Sequence, residues 1–313
     1  MSRLRFQPTE WGTHFITQRN LMGYSLMRPT PRTNAIIAGC LGYSLKRFKG
    51  VIELHAHVFL SNHYHMILSA YSQRDLSAFM SHFNGCLGKE LGVIHDQHGS
   101  IWHRRYSASL ILDEGALEDR YRYLLAHSLK EDLVEHPSQW PGLHAYKQLC
   151  MGQICEGIWI DRTALYHARQ RAKADEPAPT EAEFTSRVSV ELSGPPPLWG
   201  NLSHEAYLSR CQEIALEVIE AHKERRKAEK RRVLGARGVL RQPVFQERFT
   251  RCTPCPLCHT RVASLWREFR RAYRRFVAEF KMASMTLRVA LACGEAAPPV
   301  CFPEGGVPLF ASG

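Results

Sequence analysis

Several features that define other classes of protein are missing from this 313-residue chain. No apolar run reaches roughly 18 residues, so a membrane-spanning helix is not expected. The first twenty residues lack the apolar core of a secretory signal, and the chain shows no sustained repeat. The 10 cysteines are scattered irregularly, so we interpret most of them as reduced thiols. These absences predict a cytoplasmic protein with no membrane partner.

Acidic residues are also scarce relative to basic ones. The chain has 30 Asp and Glu residues against 41 Lys and Arg residues, which gives a formal net charge of +11. Apolar residues make up 44% and charged residues 23%, as is ordinary for a globular protein. Because a basic surface attracts polyanions, the charge favours a nucleic-acid partner and association with the nucleoid.

Residues 1–150 predict one α+β unit. Stretches with the alternation typical of strands are followed by stretches with apolar residues three and four positions apart, which is typical of helices. Because two neighbouring strands form a hairpin, we expect an antiparallel-rich central sheet with helices packed on it. The predicted elements are a strand over 13–20, a helix opening after Thr30-Pro31, two strands flanking Asn62, a helix from Ser72, a strand over 106–112 and a helix over 114–134.

The rest of the chain divides into three further segments. Residues 151–200 are rich in proline and poor in apolar periodicity, which predicts a linker or a loop-rich segment. Residues 201–285 predict a basic helical accessory region, in which Ser203 caps one helix and a final helix covers 262–283. Residues 286–313 form a tail that is rich in Pro and Gly.

The turn between two apolar runs carries the sequence Asn62-His63-Tyr64-His65. Because side chains alternate along a strand, His63 and His65 point the same way and the tyrosine between them turns into the core. Two imidazoles on one face can supply two ligands of a divalent-metal site. The asparagine either positions DNA or makes the turn. His55 and His57 form a competing pair on the preceding strand, but they lack the turn and the asparagine.

A phenol and an imidazole share one face of the predicted helix over 114–134. Tyr123 and His127 are four positions apart and lie away from the apolar stripe, whereas Tyr121 lies within that stripe and is predicted to be a core residue. If this face meets the histidine pair, His127 would be a third metal ligand and Tyr123 a nucleophile.

This order of elements resembles the HUH single-strand nucleases, and most of all the single-tyrosine transposases of insertion sequences and the REP-associated tyrosine transposases. The resemblance covers roughly residues 12–146. Members carry Met-Pro-Asn-His-(apolar)-His, where this chain has Leu60-Ser61-Asn62-His63-Tyr64-His65, with serine in place of the proline. Members continue after the tyrosine with an Asn-Pro-Val-(basic) run, where this chain has His127-Ser128-Leu129-Lys130. Counting back from Val134 places Tyr123 at the nucleophile position.

The resemblance implies a ferredoxin-like sheet and metal-assisted transesterification of single-stranded DNA that carries hairpin elements. Mg²⁺ or Mn²⁺ held by His63 and His65 would polarise the scissile phosphate, and Tyr123 would form a 5′-phosphotyrosine intermediate. A third ligand at His127 would shift the preference toward Mn²⁺ or Zn²⁺, because Mg²⁺ prefers oxygen ligands.

Departures from the family pattern keep an alternative function open. Ser61 and the altered run after Tyr123 suit a catalytically inactive nucleic-acid-binding or regulatory protein that retains the fold. The resemblance also leaves open whether the active unit is a monomer or a homodimer.

A basic block spans residues 222–252. It holds eleven Lys and Arg residues against three Glu residues, so it carries a net +8 of the total +11. Such charge suits salt-sensitive contacts with phosphate, and it equally suits a solvated helix face. The predicted nucleic-acid-binding residues are Asn62, Arg120, Arg225, Arg226, Arg231 and Arg232.

Cys252, Cys255, Cys258 and His259 lie within eight residues. Gaps of two residues between cysteines suit a metal, because a tight turn brings the thiolates together, so a Zn²⁺ site is one interpretation. A zinc ribbon normally brings a second pair of ligands from elsewhere in the chain, and the sequence shows none. A loop of reduced thiols stiffened by proline is the other interpretation.

Overall fold

The computed structural model describes residues 4–173, 177–247, 255–294 and 301–303. The first part of the chain follows the predicted order of strand, helix, strand, strand, helix and strand. These elements are β1 (Gly12–Arg19), α1 (Pro31–Arg47), β2 (Ile52–Phe59), β3 (His63–Ala70), α2 (Gln73–His95) and β4 (Ser107–Ile111). The predicted strands over 13–20 and 106–112 differ from β1 and β4 by a single residue at each end.

The central sheet has five strands, and the fifth is the two-residue strand β7 (Cys258–His259); their order is β2-β3-β1-β4-β7. β1 pairs with β3 and with β4 in the antiparallel sense, as β2 does with β3, and β7 joins β4 in parallel. In this register Thr17 lies opposite His65. The predicted α+β class with an antiparallel-rich sheet is therefore confirmed, and β1 to β4 have the order of a ferredoxin-like unit.

One face of the sheet packs against α1 and α2. Helix α1 begins at Pro31, because the side chain of Thr30 accepts a hydrogen bond from its first turn, and Ser72 caps α2 in the same way. Tyr64 is fully buried on this face and donates a hydrogen bond to Asn84 of α2. Other buried residues on this face are Ile16, Ile37, Leu41, Leu54, Met66, Leu68, Phe79 and Phe83.

The other face packs against α3 (Glu114–Leu125) and α7 (His204–Glu229). Tyr121 of α3 is fully buried, as predicted, and its hydroxyl donates across 2.8 Å to the hydroxyl of Tyr207. Tyr207 in turn donates to the backbone carbonyl of His55. Helix α7 therefore shares a hydrophobic core with the α+β unit. The predicted domain boundaries at residues 150 and 200 stay predictions.

The expectation of a linker or loop-rich segment over 151–200 needs correction. β5 (Cys155–Ile160) and β6 (Thr185–Val190) form an antiparallel pair with α6 (Arg162–Arg171) between them. This two-stranded sheet lies on α1, where Gly39 lets the backbone of β5 approach closely. β5 shows no regular alternation, whereas in β6 the alternation of Val188 and Val190 with polar residues was a signal that the proline-rich surroundings outweighed.

The C-terminal region is helical, as predicted. Ser203 caps α7, and the later helices are α8 (Gly235–Arg241) and α9 (Ala263–Ala292). The predicted helix over 262–283 ends too early, because residues 286–292, assigned to the tail, continue α9 with good helix formers. The short α5 (Ala145–Leu149) precedes β5. None of the described helices combines the length and apolar composition that a bilayer span requires.

Replacing Gly39 by alanine should destabilise the protein, because the added Cβ would lie 1.7 Å from the backbone oxygen of Ile158. Overpacking of this kind lowers the free energy of unfolding by about 1–3 kcal/mol, which chemical denaturation followed by circular dichroism would measure.

The matched control is Gly85→Ala, since the methyl group added at this helical position would meet no atom within 4 Å. Alanine is the better helix former by about 1 kcal/mol, so this variant should be as stable as the parent protein or slightly more stable. An equal loss of stability in both variants would contradict the close packing of β5 on α1.

Candidate metal centre

Three histidines come together between β3 and the helical layer. His63 and His65 lie two residues apart at the start of β3 and therefore project from the same face. His127 is the first residue of α4 (His127–Lys130). Each ring offers one ligand atom, and these atoms all lie within 4.8 Å of one another. The three side chains therefore form a group that could hold a metal ion.

A break in the predicted helix over 114–134 brings His127 to this position. Helix α3 ends at Leu125, and the N–H groups of Leu129 and Lys130 both donate to the carbonyl of Ala126, which closes a single short turn. This break in the helix does not separate the phenol from the imidazole. The ring centroids of Tyr123 and His127 are 5.1 Å apart.

Asn62 orients the first histidine. Nδ1 of His63 donates to Oδ1 of Asn62 across 2.7 Å, which leaves Nε2 of His63 as an acceptor. Nε2 of His127 donates to that atom across 2.6 Å. The bond from Nδ1 of His63 to Asn62 is of the kind that metal-ligating histidines usually make. It uses the nitrogen that does not face the metal, and it fixes the tautomer and the orientation of the ring. In this structure, therefore, Asn62 does more than make the turn.

β1 holds the second histidine. Nδ1 of His65 lies 2.8 Å from Oγ1 of Thr17, and its ring stacks on that of Phe15 with the centroids 5.0 Å apart. Nε2 of His65 is buried and has no hydrogen-bond partner among the described residues. A buried nitrogen without a partner costs free energy, and a bound cation would provide the partner.

The three imidazoles are neutral at physiological pH. Burial lowers the pKa of His63 to about 3, and the positive charges of Arg19 and Lys130 act in the same direction. Burial also lowers the pKa of His65 and of His127, and repulsion among the three rings lowers both further. Neutral imidazole is the form that binds a metal ion, so the protonation state fits ligation.

The chemistry of the donor set favours a transition metal over magnesium. The group consists of imidazole nitrogens and includes no carboxylate. Mg²⁺ prefers oxygen ligands, whereas imidazole suits Zn²⁺ and other transition metals. We therefore expect Zn²⁺, and more weakly Mn²⁺, to bind in preference to Mg²⁺.

Tyr123 lies against the histidines and among positive charges. Its ring centroid is 5.3 Å from that of His65. Nζ of Lys130 lies 4.7 Å from the ring centroid of Tyr123, and the guanidinium carbon of Arg120 lies 5.5 Å from it. Burial is the largest influence on the hydroxyl and raises the pKa of Tyr123, so the phenol keeps its proton at neutral pH. A nucleophilic role would therefore require activation.

A cleft of about 970 Å³ opens beside these rings. Arg19, Lys130 and His103 line it together with Tyr123, and the lining includes a single carboxylate, that of Glu131. A concave site with more positive than negative charge favours an anionic ligand.

The arginines predicted to bind nucleic acid in the basic block, Arg225, Arg226, Arg231 and Arg232, do not line this cleft. Arg225 and Arg231 both pair with Asp132, at 3.0 Å and 3.1 Å. Arg226 donates to a backbone carbonyl of the segment that follows α4, and Arg232 is exposed. Arg225, Arg226 and Arg231 thus connect α7 and the residues after it to the segment that follows α4. A role in DNA binding stays a prediction for all four arginines.

The competing histidine pair has other partners. Nε2 of His55 lies 2.9 Å from the hydroxyl of Ser69, and Nε2 of His57 lies 2.8 Å from the amide oxygen of Gln148. Within the part of the chain that the structure describes, no third ligand joins His55 and His57.

The cysteine cluster adds a strand to the sheet. Cys252 lies outside the described residues. Cys258 is buried in β7, and the His259 ring meets that of Phe15 edge-on at 5.8 Å. Cys255, Cys258 and His259 do not form a metal-binding group among the described residues, so the structure gives no support to the Zn²⁺ interpretation. β7 has only two residues, which is too short to be recognised from its pattern.

The residues of β1 that contact the site were missed by the sequence analysis. Phe15, Thr17 and Arg19 belong to no motif, and only the register of β1 against β3 brings them to His65 and the cleft. Lys130 did carry a signal, because a residue three positions after His127 lies on the same side of a helix.

No family model matches the chain, and neither does any curated protein. Among solved structures, it is similar to a REP-associated tyrosine transposase bound to a REP hairpin, with a TM-score of 0.41 and 19% identity over 47% of this chain and 84% of that one. It is also similar to a candidate transposase from Deinococcus radiodurans R1, with a TM-score of 0.28 and 16% identity over 39% of this chain and 95% of that one. At this level of similarity neither structure assigns a function to the chain.

Titration calorimetry of protein stripped with EDTA should show one Zn²⁺ bound per chain, and weaker binding of Mg²⁺ than of Mn²⁺. Thr17→Val should lower the affinity by about 10–100-fold, because it removes the group that orients His65. His65→Ala should lower it further.

The control is His167→Ala, which changes an exposed histidine on α6 and should leave metal affinity unchanged. Parent-like affinity in His65→Ala would show that the ion binds elsewhere.

Proposed function

We propose that this protein is a metal-dependent single-stranded DNA endonuclease and strand transferase that acts through a 5′-phosphotyrosine intermediate. The observation that supports it best is the convergence of Tyr123 with His63, His65 and His127 at one end of a basic cleft. A phenol beside a neutral triple-histidine group suits attack on a phosphodiester.

In this reaction the hydroxyl of Tyr123 attacks the phosphorus of a DNA phosphodiester. A bond forms between the phenolic oxygen and phosphorus, and the bond from phosphorus to the 3′ oxygen breaks. The phenol proton passes to water, and the leaving 3′ oxygen takes up a proton from water. A 3′-hydroxyl from a second strand can reverse these steps on the phosphotyrosine, so rejoining needs no nucleotide cofactor.

The surroundings of Tyr123 supply part of the activation that its raised pKa demands. Lys130 and Arg120 place positive charge beside the ring, and such charge stabilises the phenolate that forms during attack. Arg19 lines the cleft wall, where it would contact the strand through its phosphates. A divalent cation held by the histidines would supply Lewis-acid polarisation of the phosphate oxygens.

The proposed substrate is single-stranded DNA with hairpin elements, as the family resemblance implies. A single chain holds Tyr123 within 5.3 Å of His65, measured between ring centroids. This arrangement supports an active unit in which the tyrosine and the histidines belong to the same chain, whether or not two chains associate.

Tyr123→Phe should abolish the covalent adduct between protein and DNA, because the variant keeps the ring but loses the attacking oxygen. The measurement uses end-labelled hairpin oligonucleotides with Mn²⁺ or Mg²⁺. On a denaturing gel, DNA that is covalently attached to the protein migrates more slowly than free DNA. Omitting the metal or adding EDTA should also remove the adduct from the parent protein.

Tyr121→Phe is the matched control, because it makes the same chemical change two residues away on a fully buried ring. It should form the adduct at a rate close to that of the parent, with a small loss of stability from the missing hydrogen bond to Tyr207. An adduct that persists in Tyr123→Phe would refute the nucleophile assignment.

The second candidate function is a non-catalytic DNA-binding protein. The raised pKa of Tyr123 favours it, as does the lack of a hydrogen-bonded base at the hydroxyl among the described residues. Salt-sensitive DNA binding without any adduct, in the presence of each metal, would select this function.

A further inference from the structure

A second pocket lies on the opposite side of the sheet from the histidines. It has a volume of about 400 Å³ and is bounded by the N-terminal segment, β1, the loop before β4 and α9. His14 of β1 lines it. Alternation along β1 turns His14 away from Phe15 and Thr17, the two residues that contact His65. The pocket is therefore distinct from the cleft beside Tyr123.

Three arginines and no carboxylate line this pocket. The guanidinium of Arg5 lies 3.2 Å from the ring centroid of Tyr106 and donates to the backbone carbonyl of the same residue. Arg104 and Arg105 contribute from the loop before β4. Burial, followed by repulsion from Arg105, lowers the pKa of Arg5, so the fold holds these charges together at a cost that an anion would relieve.

Three buried polar atoms of the pocket residues have no hydrogen-bond partner among the described residues. They are Nη1 of Arg5, the hydroxyl of Tyr106 and Nδ1 of His14. The first two can donate. Nε2 of His14 is already engaged with the amide oxygen of Gln7 at 2.8 Å, which leaves Nδ1 as an acceptor. Buried polar groups are almost always paired, and a polar ligand in this pocket would pair all three atoms.

Apolar side chains also line the pocket. Phe6, Leu110, Leu257 and Phe269 are among them, and the rings of Phe6 and Phe269 pack with their centroids 5.6 Å apart. Donors for an anion, one acceptor and apolar side chains together match a nucleotide, which carries a phosphate, N–H and O–H groups and a flat base.

We propose that this pocket binds one phosphate-bearing nucleotide at a second point, away from the metal centre. The inference rests on the proposed function in one respect, because it takes the nucleotide to belong to the DNA strand that binds in the cleft beside Tyr123. His103 lines the cleft and Arg105 lines the pocket, and the two peptide links between them span at most about 8 Å. The loop before β4 therefore reaches both sites, and we take the strand to pass over this loop from the histidine side of the sheet to the pocket side.

The test is binding of thymidine 5′-monophosphate and of a labelled oligothymidylate to the full chain in EDTA, where no cleavage contributes. Arg105→Gln and Tyr106→Phe should each weaken binding about tenfold, the effect of one hydrogen bond to a charged group. Arg187→Gln is the control, because it removes an exposed arginine on β6 that lies outside the pocket.

Thermal unfolding separates a binding role from a structural one. The hydroxyl of Tyr106 has no partner in the described structure, so Tyr106→Phe should leave the Tm of the ligand-free protein unchanged or raise it. The rise in Tm caused by thymidine monophosphate should shrink in the same variant. A lower Tm without ligand, together with unchanged binding, would overturn the proposal.

The two probes distinguish the source of the nucleotide. Weakened binding of thymidine monophosphate supports capture of a free nucleotide, and weakening confined to the oligothymidylate supports a nucleotide within a strand. Parent-like affinity of both variants for both probes overturns the proposal, as does absence of binding by the parent protein. If the parent protein binds the probes in EDTA but forms no covalent adduct with DNA when metal ion is added, the result counts against the proposed function alone.

Discussion

The pairing of β1 with β3 is the constraint on which the candidate centre depends. This register sets Thr17 beside His65 and stacks Phe15 on its ring. A slip of one residue would exchange the two faces of β1 and bring His14 toward the centre in place of Phe15. The same alternation gives the sheet its two chemically different sides, with the histidines on one and the arginine-lined pocket on the other.

Burial beside other basic groups gives the centre its chemistry. The histidines are neutral because they are buried next to one another and next to the cations Arg19 and Lys130. The same burial keeps the Tyr123 phenol protonated. The site is thus ready to accept a cation, and if Tyr123 is the nucleophile we propose, its protonated phenol would make reaction depend on both metal and DNA.

The position of the tyrosine helix is set from outside the α+β unit. The ring of Trp199 stacks on Tyr121 at 5.0 Å, and Tyr207 of α7 holds its hydroxyl. Because these contacts are buried, they fix α3 more firmly than the surface ion pairs beside them can. Helix α7 therefore supports the site mechanically, whatever its basic side chains contact.

Local periodicity was enough to predict much of this protein. It placed His63 and His65 on one face of a strand, Tyr123 and His127 one turn apart and Tyr121 in the core, because backbone geometry fixes these relations within a few residues. Only the tertiary structure decided that Thr17 meets His65, that Arg225 meets Asp132 and that β5 lies on Gly39. These contacts join residues far apart in the chain, so they depend on how whole elements pack and leave no trace in any single stretch of sequence.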